Sequence, residues 1–520
     1  MNIQALSLKD EYKIDHPHQF PDIDLSFNNW TARKSRNPNI KYIVYYGLQG
    51  FTKEWLIDHY NRTFFSIEKE VAVNKYRRRL KNNGIDIDLT HIEKLWDMRY
   101  LPIEIWSLPE GSLVPLGVPL YVAFNTHKDF FWLPGSLETV ASCEMWKPTT
   151  SATMAREAYK IFKKWSDLTC DNDNHVKYQG WDFSARGMSG IWDAMVSGSG
   201  HLLSFEGSDT VCAVDYLEEF YNADSDKESI CGSIMATEHQ IMCSNTGFYI
   251  KTKYNDDWSY QGKAELDTFR RLITEIYPTG GVSIVSDTWS LPKVVTELLP
   301  ALKAEILARD GFVVIRPDSF WTNPQDCMCG FDGYHEKMDA LNEAELISVR
   351  KGLVESLYDL FGGTINSKGM KVLNPKIGSI YGDGMSLDRL EEICERLYKK
   401  GFASSNWVAG LGSYFYQYTT RDYFGFAQKC TYVQFTNDKG EKIGIDVFKD
   451  PITDDGTKKS AKGLIMVYKD ENGELKMKDQ CTWEEFYSDK NEFKLTFKNG
   501  VLVKETSLTE IKERLSKYNY

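Results

Sequence analysis

The middle of the chain is patterned as short β-branched runs that each close on an acid or a glycine. Val282-Ser283-Ile284-Val285-Ser286-Asp287 is one, and Phe312-Val313-Val314-Ile315-Arg316-Pro317-Asp318 repeats the form. Ile377-Gly378-Ser379-Ile380-Tyr381-Gly382-Asp383-Gly384 follows it, and Trp407-Val408-Ala409-Gly410 runs into a glycine-containing loop. Runs this short and this rich in Val and Ile predict buried strands. Helical spacing fills the gaps between them. Leu266, Phe269, Ile273 and Ile276 fall on one helix face, and Val295, Leu298 and Leu299 mark a second helix entered through Pro292. A third helix is predicted from about 342 to 361, stopping at Gly362-Gly363, and a fourth is capped by Ser386 and stopped at Gly401.

Strand, acid, helix in repetition is the plan of βα units and a parallel sheet. Acids at successive strand ends then converge on the carboxyl edge, where α/β barrels and open α/β sheets place their ligands. One Asp after a strand reads equally well as a helix cap or turn residue. Asp287, Asp318 and Asp383 in register point to a site.

The flanks have other textures. From about 40 to 150 strand-like runs (Lys41–Tyr46, Leu120–Phe124) alternate with Pro/Gly turns. From about 430 onward the chain reads as hairpins, with Asn472-Gly473 and Asn499-Gly500 each between alternating strands. A last helix starts at Ser507, where Glu510 completes a capping box.

Composition narrows the function classes. The 520 residues carry 74 acids against 62 bases, a net charge of −12, which excludes a global basic footprint for nucleic acid while allowing a local basic pocket. No apolar stretch reaches the roughly 18 to 20 residues of a membrane helix. The start, MNIQALSLKDEYKIDH, lacks the basic-then-apolar plan of a signal peptide. A soluble, cytoplasmic protein is expected. The ten cysteines show no CxxC pair, and only Cys327 and Cys329 lie close together, so reduced thiols are expected rather than a zinc site.

Three further segments carry the chemistry: Asp182-Phe183-Ser184-Ala185-Arg186-Gly187, Glu206-Gly207-Ser208-Asp209-Thr210 and Thr237-Glu238-His239. Together with Val285-Ser286-Asp287, Ile315-Arg316-Pro317-Asp318-Ser319, Gly382-Asp383-Gly384, Thr420-Arg421-Asp422 and Asp446-Val447-Phe448-Lys449-Asp450-Pro451, their order and spacing resemble the nicotinamide phosphoribosyltransferase family. Asp10-Glu11-Tyr12-Lys13 and Tyr46-Gly47-Leu48-Gln49 extend the similarity to nearly the whole chain.

The resemblance implies an irregular parallel βα barrel-like catalytic domain over 151–424. It implies a second, mostly antiparallel α+β domain built from the N-terminal part (1–150) and the hairpin-rich C-terminal part (425–520). It implies a homodimer that joins nicotinamide to 5-phosphoribosyl-1-pyrophosphate (PRPP), releasing pyrophosphate and making nicotinamide mononucleotide, with Mg²⁺ held through the diphosphate rather than by direct protein ligands. By the same pattern Asp287, Asp318 and Arg316 line the ribosyl and diphosphate site, beside Ser283. Gly382, Asp383, Gly384 and Gly412 take the ribose phosphate.

The resemblance further implies that Phe183 stacks on the nicotinamide ring from one side and Tyr12 of a second subunit from the other. Arg186 donates to the amide oxygen, and Asp209 accepts from the amide NH₂. A carboxylate at that point disfavours nicotinate by like charge, which makes Asp209 the discriminator. By the resemblance, His239 would be the residue phosphorylated by ATP, coupling hydrolysis to synthesis. The resemblance also places Arg421, Lys429, Lys449 and Lys458, with Arg33 from the N-terminal region, at the diphosphate as a basic funnel. Three departures stand out: Ser413 and Tyr414 where relatives carry glycines, Trp181 where a His precedes Asp-Phe, and the longer Phe320-Trp321-Thr322 loop. The alternatives are a nicotinate-using relative, against which Asp209 argues, and a non-catalytic scaffold, which would need none of these acids, arginines and histidine together.

Overall fold

In the computed structural model, which describes residues 3–453 and 460–518, the β-branched runs form neighbouring strands of one parallel sheet. Its strands are β1 (Gly180–Asp182), β2 (Gly207–Ser208), β3 (Met235–Ala236), β4 (Thr279–Val285), β5 (Asp310–Arg316), β6 (Ile377–Tyr381) and β7 (Val408–Leu411). They lie in the order β2-β1-β7-β6-β5-β4-β3, and every pairing is parallel. The segment running from Gly232 into β3 touches both edges: Gly232 bridges Gly207 of β2, and Met235 and Ala236 pair with Val282 and Ser283 of β4. The sheet therefore curls round on itself, the barrel-like α/β class read from the sequence. Val282, Ile284, Val285, Val313 and Ile315 are fully buried in it, and each such side chain contributes roughly 1.5–3 kcal/mol of hydrophobic stabilisation.

The connecting helices follow local signals, with two differences. Leu387–Lys399 is capped by the Ser386 side chain, which accepts from the Arg389 amide, and it buries Leu390, Ile393, Cys394 and Leu397. The helix expected from 342 to 361 is two helices, Glu343–Lys351 and Leu353–Phe361, broken at Gly352. Gly352 sits at φ +81°, and a Cβ there would lie 2.3 Å from the Gly330 amide nitrogen, so the chain turns where no other residue fits. In Gln261–Arg271 the buried face holds Ala264, Thr268 and Phe269. The following wider turn, Leu272–Ile276, buries Leu272 and Ile273 and leaves Ile276 exposed. A straight 3.6-residue count does not anticipate that rotation.

The barrel belongs to a unit of 154–213 and 229–418; a second unit gathers 1–153, 214–228 and 419–519. That second unit holds an antiparallel sheet in the order Lys442–Asp446, Ala427–Thr436, Leu25–Thr31, Pro119–Asn125, Ile103–Ser107, Lys494–Lys498 and Val501–Leu502. Strand Leu25–Thr31 pairs with Ala427–Thr436 along its length, so the two ends of the chain share one sheet. Phe27, Phe124, Trp483 and Phe486 pack edge-on and stacked at its core. The hairpins turn at Asn472-Gly473 and Asn499-Gly500, and Ser507 and Glu510 form the capping box of Leu508–Ser516. All ten cysteines are free, and among the described residues no helix is long and apolar enough to cross a membrane.

Candidate functional site

The strand ends of the barrel gather the expected residues on one rim. Phe183 follows β1 and Asp209 follows β2. His239 comes three residues after β3, and Asp287, Asp318 and Asp383 each come two residues after β4, β5 and β6. Gly412 follows β7. Phe183, Arg186, Asp209, Arg316, Asp318, Gly382, Asp383 and Gly412 line one cleft of about 940 Å³, together with Thr237 and Glu238. Gly384 lies just beyond Asp383, and its carbonyl accepts from Arg389. Ser283 is different, lying inside β4. It lines a smaller adjoining cavity of about 380 Å³ with Trp181, Phe183, Asp209, Ser233 and Arg316.

Phe183 is seated by backbone. Its amide donates to the Leu411 carbonyl at 3.1 Å, and its ring lies where a Cβ on Gly410 would come within 2.5 Å. Any larger residue at 410 would push the ring out. Arg316, the last residue of β5, places its guanidinium 5.9 Å from the centre of that ring and donates to the Thr237 carbonyl at 2.7 Å. Its Nε is buried without a hydrogen-bond partner among the described residues, which leaves a donor for a ligand.

Asp209 faces the same cleft. Its backbone amide donates to the Asp182 carbonyl at 3.0 Å, and its Oδ1 accepts from the Ser233 hydroxyl at 2.6 Å. Burial pushes its carboxyl pKa up; the Ser233 hydrogen bond and Arg316 oppose that rise, and the Asp182 charge adds to it.

A second group surrounds His239. Its Nε2 lies 3.3 Å from Asp287 Oδ1 and 3.7 Å from Asp318 Oδ1. The Asp287 side chain is almost wholly buried, and its Oδ2 accepts from the amides of Asp318 (3.1 Å) and Ser319 (2.8 Å) and from the Ser319 hydroxyl (2.6 Å). It thus shapes the loop after β5 as well as contacting the imidazole. Asp318 remains open to the cleft. Burial raises its pKa and the neighbouring Asp287 charge raises it further, against the pull of His239 and Arg316.

The remaining expected residues belong to the second unit. Tyr12 is 67% exposed, in the turn Glu11–Lys13. Arg33 donates to the Gly425 carbonyl at 2.8 Å, and Arg421 pairs with Asp422 at 3.2 Å. Lys429 has its pKa lowered by lost hydration and by the nearby cations Arg33, Lys13 and Lys449, with Glu138 acting the other way. Arg33, Lys13 and Lys449 thus lie near enough to Lys429 for their charges to act on it. Lys458 lies outside the described residues.

Ser413 lines the cleft, Tyr414 stacks on Tyr418 at 4.9 Å, Trp181 donates to the Tyr178 carbonyl, and Trp321 stacks on His335. Sequence reasoning did not single out Ser233, and it read Gly410 only as the strand end before a glycine-containing loop, not as the seat of the Phe183 ring. Both contacts arise only through a residue brought close by the fold.

Residues 178–493 match the nicotinate phosphoribosyltransferase (NAPRTase) family. The chain is 41% identical over 529 aligned residues to the nicotinamide phosphoribosyltransferase of Acinetobacter baylyi, covering 99% of this chain and 97% of that one. It is 30% identical to the nicotinamide phosphoribosyltransferase of Xanthomonas campestris pv. campestris, over 89% and 86%. In fold it is similar to the nicotinate-nucleotide pyrophosphorylase of Pyrococcus furiosus (TM-score 0.55, 15% identity, 99% of this chain and 94% of that one). The human nicotinic acid phosphoribosyltransferase is also similar (TM-score 0.51, 13% identity, 98% and 93%). Matched along most of its length, and curled into a sheet whose strand ends carry this cleft, the chain belongs to the nicotinate phosphoribosyltransferase family.

Proposed function

We propose that this enzyme condenses nicotinamide with PRPP to give nicotinamide mononucleotide and pyrophosphate, in the service of NAD synthesis. The observation that carries the reading is Asp209, a carboxylate set in the same cleft as Phe183, Arg186, Arg316 and Asp318. The similarity to relatives named nicotinamide phosphoribosyltransferase supports it.

The pyridine nitrogen attacks the anomeric carbon as the bond from that carbon to the diphosphate oxygen breaks. The electron pair leaves with pyrophosphate, and no proton has to move. Positive charge grows on the ribosyl centre during the exchange. Asp318, open to the cleft and steadied from behind by Asp287, stabilises that charge electrostatically. Phe183 holds the flat ring, Arg186 donates to the amide oxygen, and Asp209 accepts from the amide NH₂. A nicotinate carboxylate would meet Asp209 as like charge. The cations Arg33, Lys429 and Lys449, with Arg421, serve the diphosphate; the positive charge gathered about Lys429 is what suits them to a polyanion.

The ligand-capable atoms of His239, Asp287 and Asp318 lie within 4.8 Å of one another. Two of the three residues are carboxylates, the donor type that Mg²⁺ takes, so Asp318 would be the residue to hold a Mg²⁺ brought by the diphosphate, a direct protein ligand that the resemblance did not imply. When bound, the ion neutralises charge on the departing pyrophosphate. His239, half-exposed beside two carboxylates, is the phosphoryl acceptor from ATP in this reading. The exposed Tyr12 ring is offered to a second copy of the chain in a homodimer. Ten free thiols suit a cytoplasmic location.

The test is direct: pure protein, nicotinamide, PRPP and Mg²⁺, with nicotinamide mononucleotide measured by chromatography. Formation of the mononucleotide is expected, with nicotinate a poor competitor. Nicotinate outcompeting nicotinamide would remove Asp209 from its role and favour the nicotinate-using alternative.

A further inference from the structure

Asp209 and Ser233 are placed side by side by a single piece of backbone pairing. Gly207 bridges Gly232, the Ser208 amide donates to the Gly232 carbonyl at 3.1 Å, and the Gly232 amide donates to the Glu206 carbonyl at 2.7 Å. Asp209 is the residue after Ser208, and Ser233 the residue after Gly232, so the two side chains leave the paired segments side by side. The Ser233 hydroxyl donates to Asp209 Oδ1 at 2.6 Å. Among the described residues no other group donates a hydrogen bond to that carboxylate. Both residues line the smaller cavity with Phe183 and Arg316.

With Oδ1 tied, Oδ2 is left to face an incoming ring substituent. An ionised Oδ2 accepts from a carboxamide and repels a carboxylate. A protonated one could donate to a carboxylate, and selection would weaken. The groups facing Asp209 pull both ways: Arg316 and the Ser233 hydroxyl favour its charge, while burial and Asp182 oppose it. Arg186 and Glu238 line the same cleft. We propose that Ser233 is the positioning residue of base selection, pinning one oxygen of Asp209 so that the other meets a carboxamide and turns away a carboxylate. The proposal rests on the nicotinamide reading and assigns its selectivity to a residue outside the recognised motifs.

The experiment measures kcat and KM for nicotinamide and for nicotinate, from about pH 5.5 to 8.5, in wild type, Ser233→Ala, Ser233→Thr and Ser233→Val. Thr and Val share a shape, and only Thr keeps the hydroxyl. Ser233→Ala and Ser233→Val are expected to raise KM for nicotinamide about tenfold, the size of a lost charge-assisted hydrogen bond, with kcat within about threefold. Their nicotinamide-to-nicotinate preference should fall and keep falling toward acid pH, and Ser233→Thr should restore it. Taking the ratio of the two bases cancels Asp318, whose titration bears on both alike. If wild type makes no mononucleotide from nicotinamide, the functional reading itself fails. If wild type does so and the Val and Thr variants show equal preference and equal pH dependence, only the role of Ser233 is overturned. A loss of kcat common to both bases, in any variant, overturns it as well.

Discussion

Two groups of side chains on the barrel rim handle charge differently. Around Phe183, Asp209 and Ser233 a single carboxylate is held by one hydroxyl beside an aromatic ring. Around His239, Asp287 and Asp318 two carboxylates and an imidazole crowd within 4.8 Å. The first arrangement suits discrimination, because one hydrogen-bond acceptor can tell an amide from an acid. The second suits acceleration, because fixed charge next to a developing cation lowers the barrier. In both groups burial raises the pKa of the cleft-facing aspartate. Each is expected to take up its proton at a higher pH than an ordinary aspartate, so kcat/KM should begin to fall on the acid side earlier than an unperturbed carboxylate would dictate. A pH profile with its acid limb at the ordinary aspartate position would contradict that.

The contrast can be broken one group at a time. The largest effect is expected from Asp318→Asn, which should lower kcat about 10³-fold while changing the KM for nicotinamide little; steady-state kinetics with both substrates varied will show it. Next is Asp209→Asn, expected to lower kcat/KM for nicotinamide about 100-fold, the upper range for a charged hydrogen bond, while improving tolerance of nicotinate. A variant that lost both bases equally would place Asp209 in the accelerating group instead. His239→Ala should abolish stimulation by ATP and leave basal synthesis measurable, read from initial rates with and without ATP; stimulation that persists would exclude the phosphoryl-acceptor role. Gly410→Ala should displace the Phe183 ring and cost about 1–3 kcal/mol by overpacking, seen as a lower melting temperature with a raised KM for nicotinamide. The smallest effect is Ser507→Ala, remote from the cleft, where loss of the capping box should cost about 1 kcal/mol with kinetics unchanged.

Much of the barrel was legible because its signals are local. The runs Val282–Val285 and Phe312–Arg316 have the composition of buried strands, and the acids two residues beyond them mark a rim. Helix ends at Ser386 and Gly401 were equally readable, since capping is decided within a few residues. The break at Gly352 was missed because the stop signal at Gly362-Gly363 masked an earlier one. Ile276 was assigned to a buried face because a regular helical count cannot foresee a widened turn. In the site, Asp287 carried a motif, yet its hold on the Asp318-Ser319 amides shows only once the loop after β5 folds over it.

Sequence alone determined the repeated strand-acid-helix order, and with it the kind of sheet and the edge on which acids would gather, because those features depend on neighbours in the chain. Tertiary structure decided which of the residues touch. Segments distant in sequence set the Ser233 hydroxyl on Asp209, the Gly410 backbone against the Phe183 ring, and His239 between two acids. Such contacts depend on register across the curled sheet, which no single segment encodes.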